Sequence, residues 1–314
     1  MILKQIPEDF IVEEIPQKKP EEEGPYTICK LEKKNYNTED AIQTIVKALK
    51  IKRKQASYAG NKDRRAVTTQ YITLHRVPKQ KINNLELKDI KLTFEGHTKK
   101  PISLGDLKGN KFSITVRGLK EKKEIEKKQI PNYYDSQRFS THNVEIGRNL
   151  IKRKFQEAIN KIMESNEKYS VMIKEHLSKK PNDYVNALKK IPTKVLQIYL
   201  YSYQSHLWNK QAEKYIGKPN TKLPLPGFNE ETTPELDEIM KEEEITPRDF
   251  ILREFPEISM EGSKRELYID VKNLKTSNYE KEEYGYKITL SFEIQKGSYA
   301  TMVVKHLLNG STGI

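Results

Sequence analysis

Alternating hydrophobic and polar residues mark strands towards both ends of the chain. Side chains on a strand point to opposite faces in turn, so a period of two indicates a sheet with one packed face. The segments with this pattern are Asp9–Ile15, Tyr26–Leu31, Thr69–Val77, Lys111–Val116, Glu266–Val271 and Tyr286–Ile294. Runs of this kind are typical of a largely antiparallel or mixed sheet.

Hydrophobic residues spaced three to four apart predict helices elsewhere in the chain. The predicted helices are Glu39–Leu49, with Thr38 as its N-cap, Val144–Met163, Lys194–Tyr215 and Ala300–Leu308. Since strands occupy both ends and 155–259 is mainly helical, we predict an α+β fold whose sheet-containing core is interrupted by a helical insertion. The expected domains are 1–154 and 260–314 for the two parts of the core, and 155–259 for the insertion.

Charge is distributed unevenly along the 314 residues. The net charge is +13, yet Asn229–Glu261 carries 12 acidic and 3 basic residues, a net of −9, so the remainder carries +22. We interpret the acidic stretch as a solvated helical linker with turns at Thr232–Pro234 and Thr246–Pro247. Basic residues concentrate at Lys50–Arg65, Lys120–Lys128 and Arg148–Lys154. Such clusters bind nucleic acid by releasing counterions, but a Lys-rich composition that only aids solubility fits equally well.

The composition also excludes several classes of protein. A single cysteine, Cys29, rules out an intramolecular disulfide framework and a cysteine-rich zinc ribbon. The longest run without formal charge, Val195–Trp208 apart from its His206, is too short and polar to span a membrane, and the N-terminus lacks the apolar segment of a signal peptide. The expectation is a soluble, cytoplasmic protein.

The usual signatures of cofactor and metal chemistry are missing from the sequence. It contains no GxGxxG, Walker, HExxH or GxSxG motif, and its six histidines lie far apart. We therefore expect no cofactor and no metal.

One polar stretch, Tyr58–Gln70, carries candidate chemistry. Asp63 stands among Lys62, Arg64 and Arg65. An aspartate is ionised at neutral pH and nearby cations favour that form, so this carboxylate can act as a nucleophile while its neighbours hold phosphates. The plainer interpretation is a surface turn, since Ala-Gly-Asn-Lys-Asp is favourable turn chemistry. The residues alone leave both interpretations open.

With these residues the sequence resembles the TruD-type pseudouridine synthases. YAGNKDRRAVTTQ resembles the central motif of that family, in which the Asp after Lys is the nucleophile, and further matches follow in the family's order. They are Lys4–Phe10 with Val12 and Glu13, Asn35–Thr38, Leu104–Phe112, Pro131–Phe139, Tyr203–Ser205 with Asn209, and Lys296–Thr301. Asp135 and Ser140 depart from the pattern, because the family usually has Gly at both positions.

The resemblance implies a pseudouridine synthase core with a mainly helical insertion domain, a tRNA substrate, most often its uridine at position 13, and no cofactor. We expect a monomer. By matched position, Asp63 is the nucleophile and Lys4, Lys62 and Asn132 line its site. Tyr134 stacks on the target base and Tyr299 forms a second aromatic wall.

The chemical route stays open at this stage. The carboxylate can attack the ribose, attack the base, or remove a ribose proton to give a glycal. Two other functions compete with the synthase. One is a non-catalytic structural RNA-binding protein or RNA chaperone, and the other is a metal-dependent nuclease.

Overall fold

The computed structural model describes residues Met1–Glu126 and Gln129–Asn309. Residue contacts divide the chain into two compact units. The first unit is Met1–Lys128 with Asp270–Ile314, and the second is Gln129–Ile269. The predicted insertion, 155–259, lies inside the second unit, which begins earlier and ends later in the chain. Whether 155–259 forms a functional domain of its own stays a prediction.

Strands and helices are mixed along the chain. The strands are β1 (Ile2–Leu3), β2 (Phe10–Pro16), β3 (Tyr26–Lys34), β4 (Ala56–Tyr58), β5 (Val67–His75), β6 (Ile90–Thr98), β7 (Leu107–Leu119), β8 (Ile130–Pro131), β9 (Lys222–Leu225), β10 (Ser263–Glu266), β11 (Tyr268–Ile269), β12 (Lys272–Thr276), β13 (Glu280–Glu282) and β14 (Gly285–Gln295). The helices are α1 (Thr38–Ala48), α2 (Lys79–Asn83), α3 (Asn143–Ile151), α4 (Phe155–Ser165), α5 (Glu167–Lys179), α6 (Tyr184–Leu188), α7 (Thr193–Glu213), α8 (Pro234–Glu242) and α9 (Ala300–Asn309).

The first unit is built on one mixed sheet with the strand order β12-β14-β7-β2-β5-β3-β6. β2 and β5 run parallel, while the other neighbours in this order are antiparallel. Alternation places Phe112, Ile114 and Val116 of β7 in the core, and the buried face of α1 packs with β3 and β5. The prediction of an α+β fold with a mixed, largely antiparallel sheet is confirmed.

The predicted N-cap of α1 is wrong by one residue. Asn37 is the cap, and its side-chain oxygen accepts a hydrogen bond of 2.8 Å from the Asp40 backbone N–H. Thr38 is the first residue of the helix and is buried. It does not cap the helix, because its hydroxyl group bonds to other parts of the chain. That hydroxyl donates to Gln70 and accepts from the Lys62 backbone N–H. Both residues are acceptable caps by type, so a long-range contact decides between them.

The second unit is mainly helical, as predicted, but its first long helix is divided. The sequence predicts one helix over Val144–Met163, whereas α3 ends at Ile151 and α4 begins at Phe155. Arg153 has a φ of 57°, a left-handed conformation that no helix interior allows. Its guanidinium group donates to the carbonyls of Ile151, Asp249 and Ile251, and these bonds hold the break in place.

The acidic stretch is part of the second unit's core, so its interpretation as a solvated linker is wrong. Leu236, Ile239 and Met240 of α8 are buried, as are Phe250 and Phe255 after it. The predicted turns are confirmed, since the stretch has caps at Thr233 and Thr246. The many acidic residues suggested an exposed segment, but Leu236, Ile239 and Met240 among them form an apolar stripe at helical spacing.

Glu243, at the end of α8, is buried with its charge compensated. Burial raises the pKa of this carboxyl, but hydrogen bonds from Lys210 and Arg148 outweigh that effect and lower the pKa below its usual value. The carboxylate lies 2.8 Å from Arg148 and 3.0 Å from Lys210, and it accepts a bond from the Tyr203 hydroxyl. Part of the Arg148–Lys154 basic cluster is therefore neutralised by the acidic stretch.

None of the helices in the described ranges combines the length and the apolar character that crossing a bilayer requires. In the same ranges, His, Cys, Asp and Glu side chains do not gather in threes as metal ligands. Of the lysines in the Lys120–Lys128 cluster, Lys127 and Lys128 lie outside the described residues.

Candidate functional site

Asp63 lies on the loop 59–66, which we call the Asp63 loop and which joins the antiparallel strands β4 and β5 of the first unit. Its side chain is 50% exposed. Among the described side chains, Lys4 forms an ion pair with it, and the lysine Nζ lies 3.2 Å from Oδ2. The structure therefore places Lys4, one of the residues expected to line the site, beside a carboxylate that is open to solvent, and its role towards a substrate stays a prediction.

A short turn at Pro7–Asp9 positions Lys4. Asp9 is buried, accepts a hydrogen bond of 3.1 Å from the Ile6 backbone N–H, and forms an ion pair of 2.8 Å with Arg117 on β7. Lys4 itself has a φ of 57°, and its Nζ lies 4.0 Å from the centre of the Phe10 ring. The ring face attracts the ammonium group and helps to hold it beside Asp63.

Lys62, the other predicted lysine of the site, turns its side chain into the protein. Its Nζ lies 2.5 Å from Oε2 of Glu14 on β2, and both side chains are buried. The other Glu14 oxygen accepts a bond from the Tyr71 backbone N–H. The observed contacts of Lys62 therefore anchor the Asp63 loop to the sheet, and a contact with substrate stays a prediction.

The backbone of the Asp63 loop is held from α1 and β5. Thr38 accepts from the Lys62 N–H at 2.8 Å and donates to Oε1 of Gln70 at 2.9 Å. The Gln70 amide group in turn donates to the Gly60 carbonyl at 3.0 Å. Thr38 and Gln70 are both buried, so this chain of bonds forms away from water and fixes the loop on either side of Asn61.

Lys33 is a part of the site that the sequence analysis missed. This buried lysine of β3 donates from Nζ to the Asp63 carbonyl at 3.0 Å and to the Tyr36 carbonyl at 2.6 Å. Burial lowers its pKa from 10.5 to about 8, while the Asp63 charge raises the pKa and that of Lys62 lowers it. The alternation of β3 was the available signal, because Cys29, Leu31 and Lys33 share its inward phase.

Asn132 and Tyr134 come together in the second unit through Arg265. Asn132 is buried and donates to the Glu266 carbonyl, while its side-chain oxygen accepts from Arg265 at 2.7 Å. The same guanidinium group lies over the Tyr134 ring, with Cζ 4.1 Å from the ring centre. Trp208 packs its ring edge-on to Tyr134, with the ring centres 5.8 Å apart.

Asn209 of α7 fixes the backbone on which Tyr134 stands. Its side-chain oxygen accepts from the Tyr134 N–H at 2.9 Å, and its amide group donates to the Tyr134 carbonyl at 3.0 Å. Two bonds to the backbone of one residue fix the point from which the ring projects. These two bonds give a structural role to Asn209, which the sequence showed only as a match to the family pattern.

The two departures from the family pattern differ in their backbone. Ser140 has a φ of 49°, in the left-handed region that favours Gly. Asp135 has a φ of −72° and a ψ of 152°, an extended conformation that any residue adopts, and its buried side chain accepts a bond from the Ser136 hydroxyl. Backbone geometry therefore explains a Gly preference at Ser140 and not at Asp135.

Tyr299, the second predicted aromatic wall, lies half-buried just before α9 in the first unit. Its carbonyl accepts from the backbone N–H groups of Met302 and Val303 and so starts the helix. A contact with substrate stays a prediction for this residue.

Comparisons with known proteins identify one family. The family model "tRNA pseudouridine synthase D (TruD)" matches residues 1–171, 160–222 and 215–307. A probable tRNA pseudouridine synthase D 2 of Methanocaldococcus jannaschii is 32% identical, over 99% of this chain and 92% of the relative. A probable tRNA pseudouridine synthase D of Methanopyrus kandleri is 28% identical, over 93% and 87%.

A solved structure shares the fold. It is the crystal structure of the putative tRNA pseudouridine synthase D of Methanosarcina mazei, with a TM-score of 0.76 and 24% sequence identity. The likeness covers 98% of this chain and 93% of the solved one, so it extends over both units.

Proposed function

The chain belongs to the TruD family of tRNA pseudouridine synthases, and on that premise we propose that it isomerises a uridine of tRNA, at position 13, with Asp63 as the nucleophile. One observation carries the assignment to Asp63. Its carboxylate is half-exposed and paired with Lys4 at 3.2 Å, while the loop beneath it is tied to buried groups. A reactive group needs this combination of access and fixed position.

The reaction that we propose conserves all atoms. The C1′–N1 bond of uridine breaks, the uracil rotates, and a C1′–C5 bond forms; C5 loses its proton and N1 gains one. No electron acceptor or energy source enters this balance. Asp63 starts the reaction, either by attacking the ribose or the base or by removing a ribose proton. Its carboxylate is regenerated when the C-glycoside is released.

Positioning is the main contribution that we assign to the residues around Asp63. Lys4 supplies a counter-charge from one side of the carboxylate. Lys33 holds the Asp63 carbonyl, and Lys62 holds the loop through Glu14. Fixing a reacting group in advance lowers the entropy cost of reaching the transition state. We propose the roles of Lys33 and Lys62 as positioning ones, acting through the backbone of the Asp63 loop.

Recognition of the target base is proposed for the aromatic residues. The uridine must leave its stack, at a cost of a few kcal/mol. Tyr134 offers a ring whose place is fixed by Asn209 and Arg265, and stacking on an aromatic ring contributes about 1–3 kcal/mol per base. Asn132, bound to the same Arg265, and Tyr299 are proposed as further contacts to the RNA.

The test compares Asp63→Asn with the wild type on unmodified tRNA transcripts, without added cofactors. Because Asn keeps the shape and loses the nucleophile, we expect tRNA binding to remain while pseudouridine falls below detection in chemical mapping. A transcript with cytidine at position 13 should stay unmodified by the wild type.

Asp106→Asn is the matched control, since Asp106 is another carboxylate of the first unit that pairs with a lysine, Lys18, at 2.8 Å. This variant should retain full activity. Normal turnover by Asp63→Asn refutes the nucleophile. A wild type that binds tRNA and forms no pseudouridine supports a non-catalytic RNA-binding protein instead.

A further inference from the structure

The second unit contains a cavity of about 540 Å³ beside the break between α3 and α4. Its walls carry Lys152, Arg153, Arg248 and Arg253, together with Asp249 and Glu254. We propose that this cavity is a binding site for the phosphodiester backbone of tRNA, in which Arg248 and Arg253 make the contacts. The proposal rests on the proposed function, because it assigns a second point of contact to the same substrate.

The placement of the two arginines within the acidic stretch supports a specific site. Asn229–Glu261 has a net charge of −9, and a surface of that charge repels RNA. The stretch contains three basic residues, Lys241, Arg248 and Arg253, and two of the three line this one cavity. Both arginines are exposed. Two of the three positive charges of the stretch therefore lie at the cavity, next to Lys152 and Arg153 of the Arg148–Lys154 cluster.

The other cations near the cavity already have partners. Lys152 pairs with Glu244 at 2.9 Å, and Arg153 lies 3.8 Å from Glu254 besides bonding three carbonyls. Within the described ranges, Arg248 and Arg253 form neither a hydrogen bond nor an ion pair through their side chains. Their guanidinium groups keep all their donors for an incoming ligand, and the planar fork of arginine matches two phosphate oxygens.

The acids of the cavity do not cancel these two charges. Asp249 accepts hydrogen bonds from the Thr246 N–H at 2.7 Å and from its hydroxyl at 2.8 Å, as the cap of a short turn. Glu254 faces Arg153.

Arg153 makes the cavity rigid. Its guanidinium group joins the end of α3 to the segment that carries Asp249 and Ile251, with bonds of 2.6 Å and 2.5 Å to their carbonyls. Arg248 and Arg253 flank that segment on either side. These bonds fix the backbone between Arg248 and Arg253 before RNA arrives, which lowers the entropy cost of binding.

The test measures the salt dependence of tRNA binding by the full chain. Each phosphate contact contributes roughly 0.7–0.9 to the slope of log Kd against log salt, so Arg248→Gln with Arg253→Gln should reduce the slope by roughly 1.4–1.8. Affinity at low salt should fall while turnover at saturating tRNA stays at the wild-type value. Arg248→Glu with Arg253→Glu should weaken binding further.

The matched control is Lys168→Gln with Lys174→Gln on α5, which removes the same charge from exposed positions of the same unit. An equal change of slope in this control and in the arginine variant overturns the proposal, as does an unchanged slope in the arginine variant. Pseudouridine formation by the wild type is mapped in parallel. Its absence refutes the proposed function, whereas the salt slopes alone decide the phosphate site.

Discussion

Replacing Lys33 with Met removes a buried ammonium group that is bonded to the Asp63 backbone. Lys33 is 2% exposed, and its Nζ donates to the carbonyls of Asp63 and Tyr36. Burial lowers its pKa from 10.5 to about 8. A difference of this size corresponds to about 3 kcal/mol in favour of the neutral amine in the folded protein.

The sign of the effect on stability follows from proton binding. Between about pH 8 and pH 10.5 the unfolded chain keeps the proton on Lys33 while the folded chain releases it. Stability therefore rises with pH across this window, and the gain is lost as the pH falls back to 8. The free energy of unfolding of the first unit should rise by about 3 kcal/mol more in the wild type than in Lys33→Met over this window.

The single cysteine and the single tryptophan allow each unit to be followed separately. Cys29 is buried on β3 of the first unit, so pulsed thiol labelling in urea reports the unfolding of that unit. Trp208 lies in the second unit, so the urea unfolding transition followed by its fluorescence should be the same in the wild type and in Lys33→Met. Lys30→Met, on the same strand and half-buried, is the control and should follow the wild type at every pH.

The same change should affect catalysis at neutral pH. A hydrogen bond to a charged group contributes about 1.5–3 kcal/mol, and Lys33→Met leaves the Asp63 carbonyl without the one from Lys33. We expect pseudouridine formation to slow by about tenfold or more with tRNA affinity preserved. A constant difference in stability between wild type and Lys33→Met from pH 7 to 10.5 refutes the lowered pKa of Lys33, and an unchanged rate of pseudouridine formation refutes its positioning role.

Substitutions at four further positions test the geometry. Tyr134→Ala should lower kcat/KM for tRNA by roughly fivefold to a hundredfold, since it removes about 1–3 kcal/mol of stacking; Tyr134→Phe should restore the rate. Glu14→Gln leaves the Lys62 ammonium buried without a counter-charge and should lower the free energy of unfolding in urea by about 3–5 kcal/mol. Ser140→Gly should raise stability by up to about 1 kcal/mol in thermal melts, because it relieves a φ of 49°, whereas Asp135→Gly should lower it.

Elements with a strong local period were predictable from the sequence. The alternating residues of β7 and β14 indicated these elements correctly, because their burial follows the pattern. Helix α7 was also predicted, although its buried residues include polar ones and lie on most of its sides. The division of Val144–Met163 was not predictable in this way. It depends on bonds from Arg153 to carbonyls of Asp249 and Ile251, almost a hundred residues away.

The candidate site shows the same limit. The motif around Asp63 and the match at Lys4 led to a pair that lies in contact in the structure. Glu14 and Lys33 were missed, because a buried charged residue can be identified only once its partner is known. The partner of Glu14 is Lys62 and that of Lys33 is the Asp63 carbonyl, and both lie on a loop distant in sequence. Charged residues at inward positions of alternating strands are the signal that remains in the sequence for such pairs.

The order in which the chain is made has a consequence for the first unit. β7 ends at Leu119 and pairs along its length with β14, which begins only at Gly285, after the whole second unit. At about 5–20 residues per second, a ribosome needs roughly ten to thirty seconds to deliver that partner. Through this interval one long side of β7 has no strand to pair with, and nascent chains on neighbouring ribosomes present the same open edge to one another.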